Sequence, residues 1–430
     1  MTRAQSSRCQ RRSRLARTCL LVSLLRCQER SAVGRSARIP CACNLLNTVP
    51  TKSCGSKVCN ETSQCLDEGC KKVCVEAPPL CDLHTASKTG DLSRVKFLLS
   101  QGQGNIDCNE WIGRTPVMWA AGGGHTEVVE LLVGKGAKLS LVDSFGFNIL
   151  HSACHGGELE AVKYVLSQTM LDINGRVQCR RTAVMLAAES GHKDVVELLV
   201  DTGADVSLVD ETGDNILHCA CRGGDVEVVK YILSQNMVDI DSLGHEKKTP
   251  VMLAGQYGHK EVVEVLVKHG ANLSLRDKVG DNILHLGCWK GHLDVVKYIV
   301  SLHRVDIDSR GFERKTPVMK AGEGGHKEVV EFLVKHGADL TLRDSDTNDI
   351  LHLISYTGVS ADVGKYILSQ HKVKINQRGW RNRPPVIVAG QRGHKDLVEL
   401  FVKNGAKLSL KDSRKRTFFT MPLKTDIWRW

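Results

Sequence analysis

Cysteine and histidine are the residues in this chain whose spacing invites a chemical reading. His218, Cys219, Cys221 and Arg222 form one run. A thiolate that attacks a phosphate ester needs its Arg several residues further on, so that the intervening backbone N–H groups cradle the anion. Here the Arg follows Cys221 directly. His151 and Cys154, His218 and Cys221, and His285 and Cys288 each stand at i and i+3, which puts a possible pair of metal donors on one helix face. The competing reading is a histidine that braces a loop and a cysteine that fills a small core site. Eight further cysteines crowd residues 41–81: Cys41, Cys43, Cys54, Cys59, Cys65, Cys70, Cys74 and Cys81. Their C-x-C, C-x4-C and C-x4-C-x3-C spacings depart from the paired C-x2-C of zinc modules. A poorly ordered segment, a metal site and a small disulfide framework all remain open there, the last requiring an oxidising compartment. Gly122, Gly123 and Gly124, and again Gly324 and Gly325, are followed by no Gly-Lys-Ser/Thr that would make a phosphate loop. No Ser/His/Asp set or carboxylate pair stands apart from the background. The expectation is a protein that is not an enzyme and that uses no cofactor.

The elements that carry these residues recur. Thr115, Thr182, Thr249 and Thr316 are spaced by 67 residues, and so are His84, His151, His218, His285 and His352. A period this strict means a repeat architecture, in which each block is one supersecondary unit. Two half-patterns alternate within it. One reads TPVM-x-A-xx-GHKEVVELLVKxGAxLSLxD, and the other, one residue longer, reads GDNILHxACxGGxxxVVKYILSQxxVDID. Both predict a short helix, a glycine turn, a second helix and a polar excursion. Pro116, Pro250 and Pro317 suit a first helical position, where a missing N–H costs nothing. Ala120, Ala121, Ala187 and Ala188 keep that helix slim, and Gly124, Gly191, Gly258 and Gly325 end it where a left-handed residue is wanted. VVELL and VVKYI then place apolar side chains at helical spacing.

This pattern resembles the ankyrin repeat, G-x-TPLH-x-AA-xx-GH-xx-VV-x-LL-xx-GA, with its TPLH box split between alternate units. Units that keep Thr-Pro carry Met118, Met252 and Met319 in the histidine slot; units that keep Leu-His carry Asn148, Asn215 and Asn282 in place of Thr. The resemblance implies an all-α repeat solenoid of helix-turn-helix units joined by β-hairpin-like loops, with Thr and His side chains bracing neighbouring hairpins. In the split box, Asn is the residue placed to take over the bond that Thr makes. It also implies a non-catalytic scaffold that binds other proteins. Residues 80–412 are expected to hold about ten repeats, preceded by a basic tail (1–40) and a cysteine-rich segment with its linker (41–79), and followed by a tail (413–430). The ninth unit departs from the pattern at Asp349 and Thr347 and the tenth at Pro384 and Pro385, as end units of such arrays do. Phe418, Phe419, Ile427 and Trp428 are candidates to cover the last apolar flank.

The net charge of +11 sits in the flanks: residues 1–40 hold ten Arg and one Glu, and residues 41–410 net about −2. A nucleic-acid partner is therefore not expected. The basic start with its short apolar run at 19–25, broken by Arg26, reads as a disordered tail, with a secretory or mitochondrial presequence as the alternatives. No apolar run approaches the ~20 residues of a membrane span, so membrane insertion is not expected and a cytoplasmic location is. In ankyrin folds the variable positions line the hairpin tips and the inner helices of the concave face. Trp111, Trp119, Phe147, Tyr257, Trp289, Phe312 and Tyr356 fall there and are the expected protein-partner contacts. Loops rich in Arg and Lys (Arg180, Arg181, Lys247, Lys248, Arg314, Lys315, Arg381, Arg383) alternate with acidic ones (Asp210, Glu211, Asp214, Asp277, Asp281, Asp344, Asp346, Asp349). That alternation reads either as ion pairing between neighbours or as a ladder selecting a complementary peptide. A different reading makes the chain an adaptor, zinc-dependent or not, whose cysteine-rich segment recruits an effector while the array selects the target.

Overall fold

The computed structural model describes residues 82–420, apart from 103–104, 111, 169–170 and 360, together with the backbone of short strands within 53–76. The chain divides into two units, Met1–Ala77 and Pro78–Trp430. In the first, β1 (Ser53–Cys54) pairs antiparallel with β2 (Lys57–Val58), and β3 (Ser63–Glu68) with β4 (Lys71–Glu76), a register that sets Cys65 opposite Cys74. The basic tail at 1–40 lies outside the described residues, as do Ile427 and Trp428.

The second unit is an all-α repeat solenoid with 20 α-helices in ten pairs among the described residues, from α1 (Asp82–Thr89) and α2 (Leu92–Ser100) to α19 (Pro385–Arg392) and α20 (Lys395–Lys403). First helices pack on first helices along one side, and second helices on second helices along the other. A single apolar core runs the length of the array, built largely from Ala, Val, Ile and Leu. In the fifth pair, α9 (Ile216–Gly223) contributes Ile216, Leu217, Ala220 and Cys221, and α10 (Val226–Ser234) contributes Val228, Val229 and Ile232, all fully buried. Each large aliphatic side chain so buried contributes about 1.5–3 kcal/mol. No single pair can cover both of its faces, so the stability of each unit depends on its neighbours.

Polar bridges set the spacing between units. In the Leu-His units the cap residue and histidine form a reciprocal box: Asn215 Oδ1 accepts the His218 N–H at 3.1 Å, and His218 Nδ1 accepts the Asn215 N–H at 3.3 Å. His218 Nε2 then donates to the Lys248 carbonyl at 3.1 Å, in the next loop. The same reach joins His84 to Arg114 O (2.8 Å), His151 to Gly175 O, His285 to Ser309 O and His352 to Arg383 O (each 3.0 Å). A carbonyl only accepts, so Nε2 carries the proton. Asn does take the capping role of Thr, and Asp349 takes it in the ninth unit.

A second set of histidines opens the outer helices. His125, His192, His259, His292 and His326 point Nε2 at carbonyls at the end of the preceding unit's first helix, 2.9–3.2 Å away. These are carbonyls that a helix end leaves without an internal partner. The turn glycines answer the same geometry. Gly224 has φ +87°, and a Cβ there would lie 2.3 Å from His259 Nδ1, so it serves both the left-handed turn and the clearance.

In the Thr-Pro units the expected threonine brace does not form. The hydroxyls of Thr115, Thr182, Thr249 and Thr316 are buried and make no hydrogen bond, because Met fills the slot where an imidazole would meet them. The array cysteines are not all alike. Cys154, Cys219, Cys221 and Cys288 are buried and free, but Cys179 is half-exposed and Cys108 is disulfide-bonded. Burial pushes the Cys154 and Cys221 thiols far above the usual range, which removes any thiolate nucleophile at either position. At the C-terminal end, Phe418 is buried against α19 and closes the core, whereas Phe419 is exposed.

Replacing His218 with Ala removes one of the two donors to the Lys248 carbonyl, which keeps the Gly244 N–H at 2.9 Å, and leaves the buried Asn215 N–H without its acceptor; the loss is expected to cost about 1–3 kcal/mol. Thr249→Val removes only an orphaned hydroxyl and is expected to be neutral or stabilising. Urea unfolding followed by circular dichroism separates the two. Burial also lowers the pKa of His151, His218 and His285, the last to about 4. A base whose folded pKa is depressed is neutral in the fold and takes up a proton on unfolding. Its stabilisation is therefore complete above the unfolded value of about 6.5 and lost as pH falls toward 4. The urea midpoint is expected to drop between pH 7.5 and pH 5.5, before carboxylates titrate.

Candidate functional site

Of the residues expected to meet a partner, Trp111 lies outside the described residues. Trp119, on α3 (Pro116–Gly122), is half-buried, and its Nε1 donates to Glu110 Oε1 at 3.1 Å. Lys88 Nζ and the Arg114 guanidinium lie 4.8 and 5.0 Å from the Trp119 ring, and Arg114 lies 5.7 Å from Phe147 as well. One guanidinium thus brings Trp119 and Phe147 together, and it is itself fixed by the buried Asp143 at 3.0 Å. Tyr257 ends α11 (Pro250–Tyr257) and stacks on His259, with ring centroids 6.4 Å apart and 9° between planes. Trp289, on α13 (Ile283–Lys290), has Lys290 over its ring at 4.5 Å. Because α11 and α13 pack side by side, Tyr257 and Trp289 sit at corresponding ends of adjacent helices. Phe312 is in a loop with Lys320 of α15 (Pro317–Gly324) 5.4 Å from its ring, and Tyr356 of α17 (Ile350–Thr357) lies 5.6 Å from Arg392. No ring–ring or shared-cation contact joins these last two to each other or to the earlier pairs among the described residues.

The exposures divide the set. Tyr257, Trp289 and Phe312 are 38%, 45% and 41% exposed, whereas Trp119, Phe147 and Tyr356 are half-buried against their own array. A cation over an exposed ring stabilises by about 0.5–1 kcal/mol, enough to hold one rotamer without covering the ring. Trp380, a further tryptophan at a variable position of the array, shares this loop-and-cation arrangement, with Arg381 at 4.0 Å and Arg383 at 5.4 Å.

The loop charges resolve differently from the alternating ladder read in the sequence. Asp210, Asp277 and Asp344 are buried turn-formers. Asp210 Oδ1 accepts the Thr212 and Asp214 N–H groups at 2.8 and 3.0 Å, and Asp277 and Asp344 repeat the pattern. Asp214 and Asp281 accept the His245 and Phe312 N–H groups of the following loop at 2.7 and 2.8 Å. The cations behind them are matched. Arg181 pairs with Glu189, Arg222 with Asp214 and Glu189, Lys248 with Glu246, Lys315 with Glu313 and Glu323, and Lys320 with Asp281. Burial alone would raise the Asp214 carboxyl, but Arg222 and the His245 N–H hold it below its ordinary value. Arg180, Lys247 and Arg314 do remain exposed at the loop tips. Sequence reading missed a further set: Arg276, Arg310 and Arg378 each donate from Nη1 to a carbonyl of the next loop, at 2.6–2.7 Å. Their recurrence just before each loop was the available clue.

The His/Cys pairs considered as metal donors are not presented as such. Each histidine Nε2 is engaged by a carbonyl, and no group of three or more potential metal-holding side chains occurs among the described residues. No helix among the described residues is long and apolar enough to cross a membrane.

Known proteins supply the context for this surface. Overlapping matches to the family described as ankyrin repeats (3 copies) cover residues 83–177, 168–243, 235–311, 279–344 and 318–412. A transient receptor potential cation channel subfamily A member 1 from Drosophila melanogaster is 26% identical over 322 residues, 70% of this chain and 27% of that protein. An ankyrin repeat and KH domain-containing protein, mask-1 of Caenorhabditis elegans, is 28% identical over 80% of this chain and 13% of its own length. Palmitoyltransferase AKR1 of Lachancea kluyveri is 27% identical over 52% of this chain and 26% of its own length. The chain thus spans about a quarter or less of these relatives. The human ASB11 ankyrin repeat domain aligns with a TM-score of 0.45 at 24% identity, over 53% of this chain and 99% of that one. With family matches running without a gap from residue 83 to residue 412 and a fold of ten stacked helix pairs, the chain belongs to the ankyrin-repeat family.

Proposed function

We propose that the array is a non-catalytic scaffold that grips a partner protein through the loops and first-helix ends of its middle units. The observation that carries this reading is the presentation of Tyr257, Trp289 and Phe312. These are large, each more than one-third exposed, and held in place by a stacked imidazole or an overlying cation. Rigid aromatics lose little entropy on association and make up much of the binding energy at protein interfaces. Trp119, Phe147 and Tyr356 extend the surface toward both ends of the array, with Trp111 as a further contact on sequence grounds alone. Engagement of every candidate metal-binding histidine by a backbone carbonyl supports a role without catalysis.

Affinity capture with mass spectrometry tests the proposal, using the full chain and a variant with Trp119, Tyr257 and Trp289 changed to Ala. Both must give the same helical circular dichroism. Specific partners are expected to be lost from the variant, with truncation of each anchor costing more than about 1 kcal/mol of affinity. An unchanged partner list overturns the reading.

A further inference from the structure

Charge along the array is not spread evenly. Residues 82–370 hold 30 Lys and Arg against 39 Asp and Glu, while residues 371–420 hold 13 against 3, a net +10. Of those three acids, Asp396 and Glu399 lie on α20, where Glu399 is paired with Lys403 at 2.8 Å. The third, Asp412, is buried and already engaged by Arg383, Arg416 and the N–H groups of Arg414 and Arg416. The two terminal loops meet where the Ser413 N–H donates to the Arg381 carbonyl at 2.9 Å. Trp380, Arg381, Lys411, Arg414 and Lys415 are exposed on them, and no carboxylate among the described residues pairs with any of these four cations.

The repeat register shows what has changed. Where earlier loops place Glu246 and Glu313 to neutralise Lys248 and Lys315, the last loop places Arg381; where α15 offers Glu323 to Lys315, α19 offers Gln391. Both internal counter-charges are gone, and one is reversed. The Arg381 guanidinium lies 4.0 Å from the Trp380 ring. A guanidinium held on an aromatic face keeps its N–H edge outward, pre-arranged for a carboxylate fork.

We infer that these two loops form a receptor for a short acidic segment, a run of Asp and Glu side chains in an extended stretch of a partner protein. A long polyanion fits less well, because the adjoining loop exposes Asp346 and residues 82–370 are net acidic. The patch therefore suits a charge run that ends within two loops. This inference goes beyond the scaffold reading and stands separately from it, since it uses none of Trp119, Tyr257 or Trp289.

Fluorescence anisotropy of the full chain with a labelled peptide bearing a short Asp/Glu run between Gly-Ser flanks tests it, at low and at physiological salt. Binding is expected to weaken as salt rises. It is also expected to fall by about tenfold or more in an Arg381→Glu, Arg414→Glu, Lys415→Glu variant. A control variant, Lys230→Glu, Lys297→Glu, Lys335→Glu, changes net charge equally on the outer helices and is expected to bind as the wild type does. Equal loss in both variants, or loss in neither, overturns the inference. So does a single-stranded oligonucleotide that binds more tightly than the peptide and depends on Arg381, which would make the patch a phosphate site. None of these results bears on partner capture through the middle units.

Discussion

The array depends on an imidazole reaching a backbone carbonyl in a neighbouring unit. Apolar burial makes the stack favourable, but it is non-directional and would tolerate small slips of one helix pair on the next. A bond at 2.8–3.2 Å from His84, His151, His218, His285 or His352 to the following loop fixes the offset on one side. A second series, from His125, His192, His259, His292 and His326 back to the preceding first helix, fixes it at the turn. At His151, His218 and His285 burial favours the neutral ring, which donates through Nε2 while Nδ1 accepts the N–H of the cap residue. The loops inherit their positions from these contacts, and the exposed aromatics inherit theirs from the loops.

The fold was legible in the sequence because a repeat multiplies every local cue. One Gly before a His says little; the same pair at six turns, with Gly124, Gly191, Gly258, Gly291, Gly325 and Gly393 all in the left-handed region, states both a turn and a close approach. The exchange of Thr for Asn beside His was equally readable, since both side chains cap a helix through an oxygen. The fate of the threonines was not. Whether Thr249 is braced depends on what occupies a slot three residues away and on the depth of burial, and Met252 offers no donor or acceptor of comparable strength.

The candidate surface was legible in its residues but not in their surroundings. Composition identified Trp119 and Trp289 alike as variable aromatics, yet Glu110, Lys88 and Arg114 draw one down and leave the other standing. Charge misled for a related reason. An Asp two residues before a turn amide reads as an anion in a sequence, but Asp210 and Asp277 are inward-facing acceptors of N–H groups, with little field left for solvent. Only three-dimensional register tells a carboxylate that shapes a loop from one that faces a ligand.

The split TPLH box has a consequence for how such an array changes length. A histidine-bearing unit passes its bond forward to a loop whose own unit has Met in the histidine slot, and the two kinds of unit differ by one residue. Removing a single unit would set two of a kind side by side, either doubling the orphaned hydroxyls at one junction or presenting a loop of the wrong length to an imidazole. The modular quantum is therefore the 67-residue pair, and lengthening or shortening that preserves every junction proceeds in steps of two.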